Sequence, residues 1–241
     1  MPTVLDWLLL VLVVVGLGAR AWYGMRRLRS LGPAELVRER PRLWLRAIAS
    51  QWLLTGLLFA LWISRGRSFA SLGLGAPSPW GLGGVLLGLA VISAMVIAQR
   101  RQVASRPELA ERIRERLASV RALMPQDRSE YPGFVSLAIT AGVCEELLFR
   151  GFVTWLLASI LPVFWMAALA QALLFGLAHA YQGGRGVITT GAVGLFMTGI
   201  VWVTGSLWAA MLVHALMDIN AGDLALLAFA QPQTSSAPGT P

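Results

Sequence analysis

The sequence predicts an all-α fold, a polytopic bundle of about seven to eight transmembrane helices. Three observations predict it. The chain of 241 residues is 56% hydrophobic and only 13% charged, whereas soluble domains usually carry about 25% charged residues. Its mean hydropathy is +0.66, and its apolar runs reach the roughly 20 residues that a membrane-crossing helix needs. Those runs are continuous stretches of Leu, Ala, Val and Gly, without the apolar–polar alternation of barrel strands.

The elements follow in order. Val4 to Leu17 is strongly apolar, carries Asp6 early, and continues as a helix to about Tyr23. Arg20, Arg26, Arg27, Arg29, Arg38, Arg40, Arg42 and Arg46 come after it, so the positive-inside rule puts this loop in the cytoplasm and the N-terminus outside. No positively charged start precedes the run, which reads as a retained first span and not as a signal peptide. The second span is expected from about Leu43 to Ser64, and Arg65, Arg67, Pro77 and Pro79 mark an outer loop. The Gly-rich third span covers about Trp80 to Ala98, and its glycines allow close helix approach.

A second basic segment runs from Arg100 to Arg128. Within it, Pro107 to Leu123 places Leu109, Ile113, Leu117 and Val120 at helical spacing among Arg and Glu, the pattern of an amphipathic interfacial helix or of a solvated connector. The fourth to seventh spans are expected at about Phe134–Leu157, Leu161–Tyr181, Val187–Val203 and Leu207–Ile219, with a further apolar piece at Leu224–Ala230. Pro162, Gly183–Gly184 and Gly205 punctuate the connections. Gln231 to Pro241 has a disordered composition. The chain therefore divides into N-terminal spans with basic loops (1–132), a core of helices (133–230) and a tail (231–241).

The net charge of +8 would suggest nucleic acid in a soluble protein. Here the basic residues, all arginine, lie between apolar runs; topology accounts for them, membrane lipid is the expected partner and nucleic acid is not. The location that fits is an integral protein of the plasma (inner) membrane. A single cysteine, Cys144, excludes an internal disulfide framework, and a buried Cys is more often a small hydrophobe than a nucleophile.

Charged side chains inside a bilayer cost about 2.5–3.5 kcal/mol each on insertion scales. Glu145, Glu146, Arg150, His179, His214 and Asp218 lie in or at the ends of the late apolar segments. Such residues usually face the bundle interior and serve a function. Glu146 and Arg150 are spaced i,i+4 and can pair, either as structure or as part of a site. Glu145 is turned about 100° from Glu146 and needs another partner; a desolvated carboxylate without a fixed cation suits a general base. His214 and Asp218 are also i,i+4, and an Asp can hold an imidazole in one tautomer.

These residues resemble a known pattern. Glu145-Glu146-Leu147-Leu148-Phe149-Arg150 is similar to the E-E-x-x-x-R motif of the CAAX-protease and bacteriocin-processing (Abi) membrane family, Phe175 to His179 to its F-x-x-x-H motif, and His214 to Asp218 to its third motif, H-x-x-x followed by Asn or Asp. The resemblance covers roughly Gly133 to Asp223 and not the first three spans.

The resemblance implies an intramembrane endopeptidase acting on a membrane-associated peptide or protein, including CAAX-type prenylated tails. Glu145 and His179 would activate a water. Glu146 and Arg150 would hold the site together. His214 and Asp218 would stabilise the oxyanion or orient the groups that do so, with Asp218 serving as an orienter of His214 or as a protonated donor. The family has been described both as glutamate proteases and as metalloproteases. Glu145, His179 and His214 form the alternative three-ligand set for a divalent metal such as Zn, although no H-E-x-x-H motif is present. Two other classes compete: a non-catalytic immunity or partner-binding member of the same fold, and a proton relay or transporter, which would need polar positions in the early spans as well.

Overall fold

The structure, a computed structural model, describes residues 1–230 except the side chain of Trp80; the tail expected to be disordered lies outside the described residues. Among the described residues there is no strand. Eight helices carry the fold: α1 (Val4–Arg29), α2 (Pro33–Ser64), α3 (Pro79–Ser105), α4 (Pro107–Leu117), α5 (Tyr131–Ala158), α6 (Phe164–Ala178), α7 (Gly184–Thr204) and α8 (Leu207–Ala230). Six of them (α1, α2, α3, α5, α7 and α8) are long and apolar enough to cross a membrane, and α6 is a shorter apolar helix. This is an integral membrane protein. The apolar piece at Leu224–Ala230 continues α8 without a break, because no Gly or Pro after Gly222 interrupts the helix.

Local chemistry sets the helix boundaries. Pro33, Pro79 and Pro107 occupy first turns, where the missing N–H costs nothing. The Ser78 side chain accepts from the backbone N–H of Gly81. The Asp127 carboxylate accepts from the N–H groups of Ser129 (2.8 Å) and Glu130 (3.1 Å) just ahead of α5. The second span starts ten residues earlier than its apolar run suggests, because Arg40 is buried in the fold: its Nε donates to the Ala122 carbonyl at 2.9 Å and its Nη1 pairs with Glu130. The amphipathic segment ends as an α-helix at Leu117 and continues as a short 3-10 turn over Ala118–Val120. Its apolar side is not left open, since Ala110 and Ile113 pack on Val103, Leu224 and Ala228.

α5 is the most buried span and packs between α2 and α8, while α6 and α7 form an adjacent pair. Phe149, Phe152 and Leu156 of α5 meet Trp62 of α2 and Phe175 of α6 in the main apolar cluster. Glycine permits two close crossings. A Cβ on Gly142 would lie 2.8 Å from the Ala215 N and Met211 O atoms of α8, and one on Gly176 would lie 2.5 Å from the Val187 carbonyl of α7. Away from the arginine-rich loops, Asp6 is fully buried and receives Arg67 Nη1 and Nη2 at 2.6 and 2.8 Å. The Arg67 guanidinium lies over the rings of both Trp62 and Trp155, which touch each other edge-on, and this fixes the start of α1 to the ends of α2 and α5.

Candidate active site

The six residues singled out in the sequence come together. α5 supplies three of them. Its winding changes from α to π over Glu146–Val153, and the Thr154 hydroxyl closes the wider turn by donating to the Phe149 carbonyl five residues back at 3.1 Å. Short π segments inside α-helices are frequent at functional sites.

Glu146 and Arg150 form the expected pair, with Nη1 3.0 Å from Oε1 and both side chains buried. The pairing is one of charge, since none of the Arg150 guanidinium nitrogens has a hydrogen bond of good geometry. The guanidinium instead lies flat against the Phe175 ring, 4.0 Å from its centroid, a cation–π contact that is worth most where water is excluded.

The same Glu146 Oε1 lies 2.8 Å from Nδ1 of His214. This differs from the expected arrangement. Asp218 Oδ2 is 3.7 Å from His214 Nε2, beyond hydrogen-bond reach, and its side chain is 42% exposed. Glu146, reaching across from α5, holds Nδ1 of the imidazole, while the i,i+4 Asp218 stands within ion-pair range of Nε2 on the other side of the ring. The close approach at Gly142 makes this contact possible, because it brings α5 onto α8 one turn before Glu146.

His179 stands at the C-terminal end of α6. Its Nδ1 lies 2.8 Å from the Phe175 carbonyl. A carbonyl oxygen only accepts, so Nδ1 carries the hydrogen and neutral His179 has its lone pair on Nε2. That Nε2 faces Glu145 Oε2 at 3.8 Å, too far for a direct hydrogen bond and close enough for one small molecule to touch both. The other Glu145 oxygen accepts from Gln51 Nε2 at 3.1 Å.

These groups line a cavity of about 400 Å³. Glu145, His179, His214 and Asp218 form one part of its wall; Arg116, Ser119 and Leu123 of the basic segment form another. Three polar contributors were not singled out from the sequence. Gln51 is an isolated amide inside the second apolar run, a signal that was there to be read. Arg20 was assigned to the first basic loop but lies inside α1, on the cavity wall. Tyr181 sits in the short 3-10 turn Ala180–Gln182, where burial pushes its hydroxyl up to about 12.

The alternative metal set does not fit. Among the described residues no three His, Cys, Asp or Glu side chains converge on a metal position.

Residues 127–220 match the family model described as type II CAAX prenyl endopeptidase, Rce1-like. Over this stretch the chain is similar to the Rce1-like family. Comparison with curated proteins and with solved structures gave no significant match. The Rce1-like segment contains Glu145, Glu146, Arg150, His179, His214 and Asp218 and leaves out Arg20 and Gln51. The matched segment thus resembles a CAAX-type endopeptidase and lies in a membrane-spanning chain.

Proposed function

We propose that the protein is an intramembrane endopeptidase that hydrolyses a peptide bond near the C-terminus of a membrane-associated peptide or protein, of the CAAX type that the family description names, by a water activated between Glu145 and His179. The observation that carries this reading is the 3.8 Å separation of Glu145 Oε2 and His179 Nε2 in the cavity wall, with each group locked from behind.

The residue chemistry supports the steps. A water between these two acceptors donates one hydrogen to the Glu145 carboxylate and the other to the His179 lone pair, and its oxygen is left to attack the substrate carbonyl. Glu145 takes the proton as the C–O bond forms and returns it to the departing amine as the C–N bond breaks. The positive charge of Arg150 is neutralised by Glu146 and remains out of the reaction. His214, held through Nδ1 by Glu146, turns Nε2 toward the cavity; as an imidazolium it offers Nε2–H to the developing oxyanion. Asp218 lies near that nitrogen and supports the charged form. No step runs through a metal.

Arg116, Ser119 and Leu123 form part of the cavity wall, on the arginine-rich side that the positive-inside rule assigns to the cytoplasm. In this orientation the N-terminus is outside and the substrate enters from the cytoplasmic leaflet, where lipid-anchored tails reside.

The test is proteolysis in liposomes of a panel of lipidated and unlipidated membrane peptides, with and without chelator. The intact protein is expected to cleave with or without chelator, and Glu145→Gln is expected to lose about 10²–10⁴-fold in rate. Full activity in Glu145→Gln, or activity lost on chelation and restored by zinc, would refute the mechanism.

A further inference from the structure

Arg20 differs from the other inward-placed arginines. Arg40 pairs with Glu130, Arg67 with Asp6, and Arg150 with Glu146. Arg20 lies in α1, half-buried on the wall of the same cavity. Its Nε is buried without a hydrogen-bond partner, and its guanidinium makes no hydrogen bond or ion pair with any described residue. Such a cation at membrane depth is costly unless something meets it.

The surroundings narrow what can meet it. α1 is pressed onto the end of α6 where Gly18 faces Ala178; a Cβ on Gly18 would lie 3.2 Å from the Ala178 Cα. This seats Arg20 near the turn that follows His179. Arg29, further along the same helix, donates to the Tyr181 carbonyl at 2.9 Å and also bonds the Ser119 carbonyl, holding turn and helix together. Glu145 and the Tyr181 phenol are the acidic groups whose charge acts on Arg20. Glu145 already accepts from Gln51 and faces His179, so it attracts Arg20 from a distance without satisfying its donors. The cavity thus has its water-activating pair on one wall and an unpaired planar cation on another. A guanidinium presents a fork that matches a carboxylate in two parallel hydrogen bonds.

We infer that Arg20 binds the terminal α-carboxylate of the substrate and so makes this site select peptides with a free C-terminus. The inference rests on the proposed protease reading and goes beyond it. It assigns specificity to a residue outside the matched segment, and it fixes the scissile bond by its distance from the chain end. The same fork could take a phospholipid phosphate, and the test separates the two.

The experiment measures binding as well as cleavage on the full chain in detergent and in liposomes. The probes are a fluorescent short membrane peptide with a free C-terminal carboxylate and the same peptide as its C-terminal amide. The intact protein is expected to bind the acid about ten- to a hundred-fold more tightly than the amide, the size of one charge-assisted contact. Arg20→Gln is expected to bind both forms alike, with KM raised for the acid and kcat little changed. Arg20→Lys is expected to keep part of the preference, which separates lost charge from lost folding, and melting curves monitor the fold. Equal affinity of the intact protein for acid and amide, binding of neither, or a preference undiminished in Arg20→Gln would each overturn the inference. A change in Arg20→Gln that follows the anionic lipid content of the liposomes and ignores the peptide terminus would assign Arg20 to a headgroup and also overturn it. A carboxylate preference without cleavage of any peptide would leave Arg20's role standing and sink the protease reading alone.

Discussion

His214 Nδ1 lies 2.8 Å from Glu146 Oε1, joining the last span to the central one through a carboxylate oxygen that also faces Arg150 at 3.0 Å. One oxygen therefore serves two partners on different helices. Glu146→Gln should remove the charge from both and leave Arg150 buried and unpaired, at a cost of about 3–5 kcal/mol. The double variant Glu146→Gln/Arg150→Met should recover a large part of that loss. Thermal unfolding in detergent checks both; a Glu146→Gln protein that melts with the wild type would show that the pair is not needed for stability.

Gly142 is where α5 meets α8 most closely. Its substitution by Ala would put a methyl 2.8 Å from backbone atoms of Ala215 and Met211, and backbone yields poorly to overpacking. Gly142→Ala should cost about 1–3 kcal/mol and should reduce peptide cleavage more than this destabilisation alone explains, because it moves Glu146 away from His214. Activity assayed well below the melting temperature, alongside melting curves, separates the two effects. Unchanged activity per folded molecule would rule out the coupling.

Gln51 acts on Glu145 through a single hydrogen bond. Gln51→Leu should therefore lower kcat by about five- to tenfold, as one hydrogen bond predicts, with KM held. A change confined to KM would move Gln51 to the substrate-binding wall.

The Asp6–Arg67 pair ties the first span to the second and fourth. Asp6→Asn keeps the shape, but it removes the charge that Arg67 meets with both terminal nitrogens. We expect a loss of about 3–5 kcal/mol with catalytic constants unaffected at low temperature. Urea or thermal unfolding gives the first, and the peptide assay gives the second.

Asp127 provides the pH dependence. The Ser129 hydroxyl, then the backbone N–H groups of Glu130 and Ser129, hold its carboxyl below the usual carboxylate range. A carboxyl lowered in the folded state stabilises above its unfolded value of about 3.9 and ceases to do so as pH falls through its folded value. The melting-temperature gap between wild type and Asp127→Ala should thus be present at pH 7 and close as pH falls through the lowered folded-state value of Asp127. A gap independent of pH would mean that the carboxylate charge has no part in starting α5.

The spans were legible because continuous apolar runs leave a helix as the only way to satisfy the backbone in lipid, and the ionisable residues stood out because they are costly there. Helix spacing gave Glu146–Arg150 correctly, since both lie on one element. For His214 it gave only the i,i+4 neighbour Asp218, which stands 3.7 Å away; the hydrogen-bonded partner Glu146 depends on a crossing at Gly142 that no periodicity encodes. Arg20 was hidden among seven other arginines whose loop position is ordinary, and only the close contact of Gly18 with Ala178 distinguishes it. The start of α2 was missed because its first turns are polar and held by the Arg40–Glu130 contact rather than by an apolar face.

α6 contains 15 residues. At 1.5 Å per residue it rises only about 22 Å, well short of a hydrocarbon layer about 30 Å thick. Lipid beside a short span responds to the mismatch by thinning. Thinning at the His179 end of the helix would dimple the bilayer where a hydrolytic reaction most needs its second reactant, and would let bulk solvent reach the depth of Glu145 without a pore through the protein.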